Sequence, residues 1–76
     1  MQTGLDTVQA GHSAVVEKLC LPETLRRRLI SFGLVPGTAL QVRYKSPDSS
    51  VTALEFRGTV LAMRSQDLNG IQVTCG

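Results

Sequence analysis

Arg26-Arg27-Arg28-Leu29-Ile30-Ser31-Phe32-Gly33-Leu34-Val35-Pro36-Gly37-Thr38 reads as a helix end and a tight turn in one block. Upstream, Pro22 suits a first helical position because its missing N–H has no helical partner there, and Glu23 sets a carboxylate against the positive end of the helix dipole. The helix is therefore expected to start near Pro22. Leu25, Leu29 and Phe32 recur at helical spacing and mark one apolar stripe, with Arg26, Arg27 and Ser31 directed elsewhere. Gly33 stops the helix because it enters the left-handed C′ conformation without a Cβ clash. Val35-Pro36-Gly37-Thr38 then puts Pro at the second position and Gly at the third, as a type II turn requires, and the chain leaves that turn into a strand.

Downstream of the turn, Leu40, Val42 and Tyr44 alternate with Gln41, Arg43 and Lys45, the period of a half-buried strand. Ser46-Pro47-Asp48-Ser49-Ser50 breaks it, and Val51 to Arg57 resumes alternation with Leu54 and Phe56 on one side and Glu55 and Arg57 on the other. The two segments should pair as a hairpin. Arg57-Gly58 is a second reversal, and Val60-Leu61-Ala62-Met63 is apolar on both faces, which predicts a central strand covered on each side. Ser65-Gln66-Asp67-Leu68 offers a Ser cap before one helical turn, and Asn69-Gly70 turns back into Ile71-Gln72-Val73-Thr74. Upstream of the helix, Ser13 to Leu19 is a β-branched first strand, and Leu5 to Ala10 is a short turn that packs Leu5 and Val8 before Gly11 breaks it. About five short strands, Gly-bearing turns and one intruding helix describe a small, mainly β, partly open barrel with a short helical turn near the C-terminus, in one domain over residues 1–76.

Composition narrows the function. Aromatic residues are 4% of the chain, so the core must be built from Val, Leu, Ile and Met, and a base-stacking platform for nucleic acid is disfavoured. The formal charge of +2 comes largely from the arginine triplet and forms no long basic tract. No leader pattern opens the chain and no run approaches the ~20 apolar residues of a bilayer span, which points to a cytoplasmic protein that does not insert into membrane. Cys20 and Cys75 lie far apart in sequence and form neither a CxxC pair nor a zinc motif. His12 has no carboxylate partner in sequence and the acids are scattered singly, so no catalytic constellation, cofactor or metal site is expected.

Contact residues are sought instead in the arginine triplet. Three consecutive helical residues sweep about 200°, so at least one must lie near the barrel. Arg28, beside Leu29, is expected to pack its stem and bond a carbonyl, leaving Arg26 and Arg27 for an acidic partner. Leu34 and Val35 either plug the barrel or, if exposed beside this helix, supply the apolar centre of the contact. Gly33, Pro36 and Gly37 are structural.

The RRL-x-x-x-G-L-x-P-G-T block, the early segment Leu5-Asp6-Thr7-Val8-Gln9-Ala10-Gly11-His12 and the late segment Arg57-Gly58-Thr59-Val60-Leu61-Ala62-Met63-Arg64 together resemble the FeoA family, from about Leu5 to Val73. That family comprises small cytoplasmic proteins associated with the bacterial ferrous iron transporter FeoB. The resemblance implies an SH3-like barrel and a partner in the cytoplasmic, GTP-binding part of a FeoB-like membrane transporter, which the protein would dock on and regulate. The same module also resembles the C-terminal domain of metal-dependent repressors, so the alternative is a peptide-binding or corepressor-like module of a metal-dependent transcriptional regulator. The absence of a helix-turn-helix segment before the module favours the free-standing form. Free strand edges of an open barrel offer a route to oligomers.

Overall fold

The computed structural model describes residues 2–75. Strand β1 (Gln2–Gly4) leads into a 3-10 turn (Leu5–Thr7), followed by β2 (Ser13–Leu19), helix α1 (Glu23–Ser31), β3 (Ala39–Lys45), β4 (Val51–Phe56), β5 (Thr59–Arg64), a second 3-10 turn (Ser65–Gly70) and β6 (Ile71–Thr74). All pairings are antiparallel. Among the described residues these strands form one sheet in the order β1-β6-β2-β3-β4-β5. The fold is mainly β, as expected, with six strands rather than about five, because Gln2–Gly4 pairs with the end of β6 through Gln2–Thr74, Thr3–Val73 and Gly4–Gln72. Thr3 alone among those three residues favours a strand, and a partner distant in sequence makes them one.

One face of the sheet curls inward and carries the core. Ala14 and Val16 of β2, Leu40 and Val42 of β3, Leu54 and Phe56 of β4 and Ile71 and Val73 of β6 are buried at every second position, as a pleated strand with one wet face demands. Leu29 of α1 and the following Leu34 cap this core. The two 3-10 turns pack on each other and bury Leu5 and Leu68, so side chains rather than a ladder complete the barrel there. Thr52 is fully buried, and its hydroxyl shares a 2.8 Å hydrogen bond with that of Ser65, which keeps a polar atom inside the core satisfied. Ser65 is thereby engaged across the sheet and does not cap the turn it begins.

Two strand expectations fail for reasons outside the local pattern. Tyr44 is 54% exposed although its period matches Leu40 and Val42. The β3–β4 register shifts between Val42 and Tyr44, and this bulge turns the ring out to solvent. The apolar run of β5 is not central: β5 is the last strand of the sheet, and Val60 is 63% exposed. Its inner face, with Leu61 and Met63, packs toward the core, but nothing covers its outer face, where Val60 and Ala62 are exposed, and among the described residues its one strand neighbour is β4.

Candidate protein-docking groove

The block read first in the sequence holds α1 in place. Pro22 is the N-cap, one residue outside the helix, with extended backbone (φ −52°, ψ 146°). At the other end Gly33 takes φ +97°, Leu34 N–H reaches back to Leu29 C=O at 3.0 Å and Gly33 N–H to Ile30 C=O at 2.9 Å. Those two bonds are the Schellman closure, and its usual apolar contact is present because Leu34 and Leu29 share the core. The turn that follows has Gly37 at φ +93° and a Thr38 N–H to Val35 C=O bond of 2.9 Å. Gly37 N–H then donates to Val16 C=O at 2.7 Å, and Val16 N–H to Thr38 C=O at 2.9 Å, which stitches the turn to β2. Thr38 is buried; its hydroxyl donates to Gly33 C=O at 3.0 Å and accepts from Val35 N–H at 3.2 Å, joining helix cap and turn through one side chain.

Both ends of α1 are also pinned, the first to the second 3-10 turn and the last to the β4–β5 turn. Before the helix, Cys20 N–H donates to Gly70 C=O at 2.6 Å, and a Cβ on Gly70 would collide with Cys20 O and the Leu21 side chain. After it, a Cβ on Gly33 would lie 3.1 Å from Arg57 Cδ, so the arginine stem covers the helix end. Arg57 sits at φ +51° and Gly58 at φ +75°, the pair of positive φ values of a two-residue type I′ hairpin turn between β4 and β5. The helix consequently runs back along β5 in the opposite sense.

Between them lies a groove. Leu25, Arg28 and Leu29 of α1 and its C-cap Phe32 form one wall, Leu61, Ala62, Met63 and Arg64 of β5 the other, and Asp67 also lines it. Its volume is about 230 Å³, below the roughly 300–1,000 Å³ of small-molecule pockets. It fits side chains better than a metabolite. Phe32 is 43% exposed, and Leu25 and Leu61 are half-buried, so the apolar floor is open to solvent. Arg64 Nε lies 3.6 Å from Asp67 Oδ2, a weak surface pair. No carboxylate among the described residues lies within ion-pair distance of Arg28.

The sequence-derived contact residues divide. Arg27 is exposed and bound to Glu23 at 2.9 Å one helical turn away, and Arg26 is half-buried. The assignment of Arg28 as the packed arginine is reversed: Arg28 is exposed and borders the groove. Leu34 is 0% exposed, so of its two readings the barrel plug holds and a contact role does not. Its place as the residue after the Schellman glycine sends it inward. Val35 is half-buried. Gly33, Pro36 and Gly37 occupy the cap and turn as read. Phe32, Leu61 and Arg64 line the groove and are not among the sequence-derived contact residues; the apolar run of β5 was the available signal.

No group of three or more His, Cys, Asp or Glu side chains converges among the described residues. His12 and Cys75 border one shallow depression with Gln9, and Cys20 is not part of it. Both cysteines are free and exposed. Among the described residues no helix is long and apolar enough to cross a membrane.

A family model, the FeoA domain, matches residues 3–75. The solution structure of the FeoA protein from Chlorobium tepidum is 32% identical and superposes with a TM-score of 0.91 over 95% of this chain and 69% of that one. The crystal structure of Stenotrophomonas maltophilia FeoA complexed with zinc, described as a prokaryotic SH3 domain protein and a candidate ferrous iron transport activating factor, is 24% identical with a TM-score of 0.81 over 92% of this chain and 87% of that one. A manganese-dependent transcriptional repressor in complex with manganese shares the fold at 16% identity, TM-score 0.87, with 99% of this chain covering 37% of the repressor. No curated protein matches the chain by sequence search. The barrel is therefore SH3-like.

Proposed function

This chain belongs to the FeoA family of ferrous iron transport accessory proteins, and from that premise we propose that it docks on the cytoplasmic, GTP-binding part of a FeoB-like transporter and regulates iron uptake there. The observation that supports this most is the groove between α1 and β5, where exposed apolar side chains are rimmed by arginines. Desolvated apolar centres with charged rims are the anatomy of protein interfaces. In this reading residues 1–76 act as one cytoplasmic binding domain without catalytic chemistry of its own, and Arg26, Arg27 and Val35 lie on the outer margin of the contact. The likeness to a repressor at 16% identity is one of fold and lends no weight to a DNA-linked role.

The test is direct. Full-length protein should be retained by the immobilised cytoplasmic domains of the transporter encoded in the same genome, and deletion of its gene should change ferrous iron uptake. Reversing Arg28 to Glu should weaken retention without loss of folded signal, because that guanidinium has no internal partner to lose. No retention at high protein concentration, together with unchanged uptake on deletion, overturns the proposal. GTP turnover by the transporter domain, measured with wild type and with Arg27→Ala, separates docking from catalytic assistance by an arginine.

A further inference from the structure

Resting on the docking reading, we propose that the groove receives an extended, acidic and apolar segment of the partner, which joins the sheet as an additional strand along β5. The backbone of β5 is the primary observation. Opposite residues of an antiparallel pair alternate between exchanging both N–H···O bonds and exchanging none. Phe56 and Thr59 flank the two-residue turn and Ser65 N–H bonds Ser50 C=O at 2.9 Å, so the bonded pairs are Phe56–Thr59, Leu54–Leu61 and Thr52–Met63. The N–H and C=O groups of Val60 and Ala62 must then point away from β4, toward the open edge. No other strand of the described residues lies there.

Natural sheets blunt such edges with charge, proline, bulges or a covering element. β5 has an unbroken register with β4 over all six of its residues, no proline, and Arg64 alone as a charge, at its last position. α1 stands beside this edge without covering it, leaving the groove between them. An extended segment hydrogen-bonded to Val60 and Ala62 would send alternate side chains toward α1, where Leu25, Phe32 and Leu61 accept apolar groups. Charge selects the occupant. Arg28 has no ion-pair partner among the described residues, and the single acid of the groove, Asp67, is already beside Arg64. Carboxylates alternating with those apolar groups would face the side of β5 that carries Arg64, and the exposed Arg28 at the groove rim adds positive charge to the same site. A second copy of this chain suits the site less well, since its own β5 brings another Arg64 and no acid.

The probe is an acetylated peptide of about seven residues alternating Glu and Val, long enough for one strand, with a Lys–Val peptide of the same length as control. It is titrated into the full isotope-labelled chain, and amide exchange is followed residue by residue. With the Glu–Val probe at saturation, the Val60 and Ala62 amides should exchange at least ~10-fold more slowly, the signature of two new backbone bonds. The Lys–Val peptide should leave them unchanged. Arg28→Glu combined with Arg64→Glu should weaken the probe by ~10-fold or more. Ala62→Pro removes an outward N–H that β4 does not use and should abolish binding; its circular dichroism reports whether it folds, and backbone N-methylation at Ala62 replaces it if it does not.

Strand addition is overturned if saturating Glu–Val peptide gives no protection at Val60 and Ala62, if both peptides protect equally, or if folded Ala62→Pro binds as wild type. It is equally overturned if those amides become protected with rising protein concentration alone, which would make the occupant a second copy. Failure of the docking reading looks different: wild-type protein would not bind the transporter's cytoplasmic domains at all. Transporter binding that survives in the folded Ala62→Pro variant would remove strand addition and leave docking standing.

Discussion

Replacing Thr38 with Val exchanges a hydroxyl for a methyl of nearly the same shape at a position that is 3% exposed. The loss falls on two other residues. Gly33 C=O, which accepts from the Thr38 hydroxyl at 3.0 Å, and Val35 N–H, which donates to it at 3.2 Å, would both be left without a protein partner. A buried polar group stripped of its partner costs about 1–3 kcal/mol. Gly33 and Val35 are both half-buried and water can reach part of each, so both shares lie at the low end and the pair should cost about 2 kcal/mol. A 76-residue fold holds about 4–11 kcal/mol in total, so this one oxygen accounts for a large fraction of the margin. The melting temperature should fall by roughly 8–16 °C, at about 4–8 °C per kcal/mol for a chain of this size. Thr38→Ser is the control: it keeps both hydrogen bonds and loses one buried methyl, worth about 1 kcal/mol. Urea unfolding followed by far-ultraviolet circular dichroism suits a chain without Trp. If Thr38→Val proves as stable as Thr38→Ser, the hydroxyl is not what joins the helix cap to the turn, and that account of how α1 is held fails.

Further expectations concern separate parts of the molecule. Nothing lies within 4 Å of a Cβ built on Gly37, so Gly37→Ala should cost only the backbone penalty of positive φ, about 1–2 kcal/mol, and Gly37→Val more because branching stiffens it; equal unfolding midpoints for wild type and Gly37→Ala would refute the turn assignment. Leu34→Ala should cost about 2–5 kcal/mol by urea titration, as a fully buried core leucine does, whereas a surface contact residue would change stability little. Asp48 accepts hydrogen bonds from the Ser46 hydroxyl, the Ser50 hydroxyl and Ser50 N–H, which lower its pKa from 3.8 to about 2. A depressed carboxylate stabilises the fold above its unfolded pKa and loses that contribution as pH falls through its folded value. The unfolding midpoints of wild type and Asp48→Asn should therefore differ by a constant amount above about pH 4 and draw together between pH 3.8 and 2; a gap that persists unchanged to pH 2 would contradict the loop geometry.

Legibility followed the range of the forces involved. Gly33 could be read as a helix stop because its role depends on its own φ and on bonds to residues within five positions. The same holds for Pro36-Gly37, whose turn closes over four residues. Ser13–Leu19 was read to the residue because its β-branched run is bounded on both sides by breakers. Tyr44 escaped because a bulge in β3 opposite β4 is a property of two strands and not of one. Of the arginine triplet, Arg27 is exposed as expected, while Arg26 and Arg28 exchange the half-buried and exposed places. A difference of 100° per residue turns on the orientation of the helix about its axis, and that is set by where Leu29 and Leu34 enter the core.

Sequence alone therefore determined the elements whose energetics close within a helical turn or a hairpin: the helix and its caps, the proline-glycine corner, the alternating strands, and the family to which their combination belongs. Only the tertiary structure decided that β5 stands at the edge, that Leu34 is sealed inside, and that Arg28, Phe32, Leu61 and Arg64 meet across a groove. A strand's side chains follow from its own period, but whether another strand lies beside it is settled by loop closures and packing many residues away. An apolar strand reads the same in sequence whether the protein covers it or leaves it for another molecule.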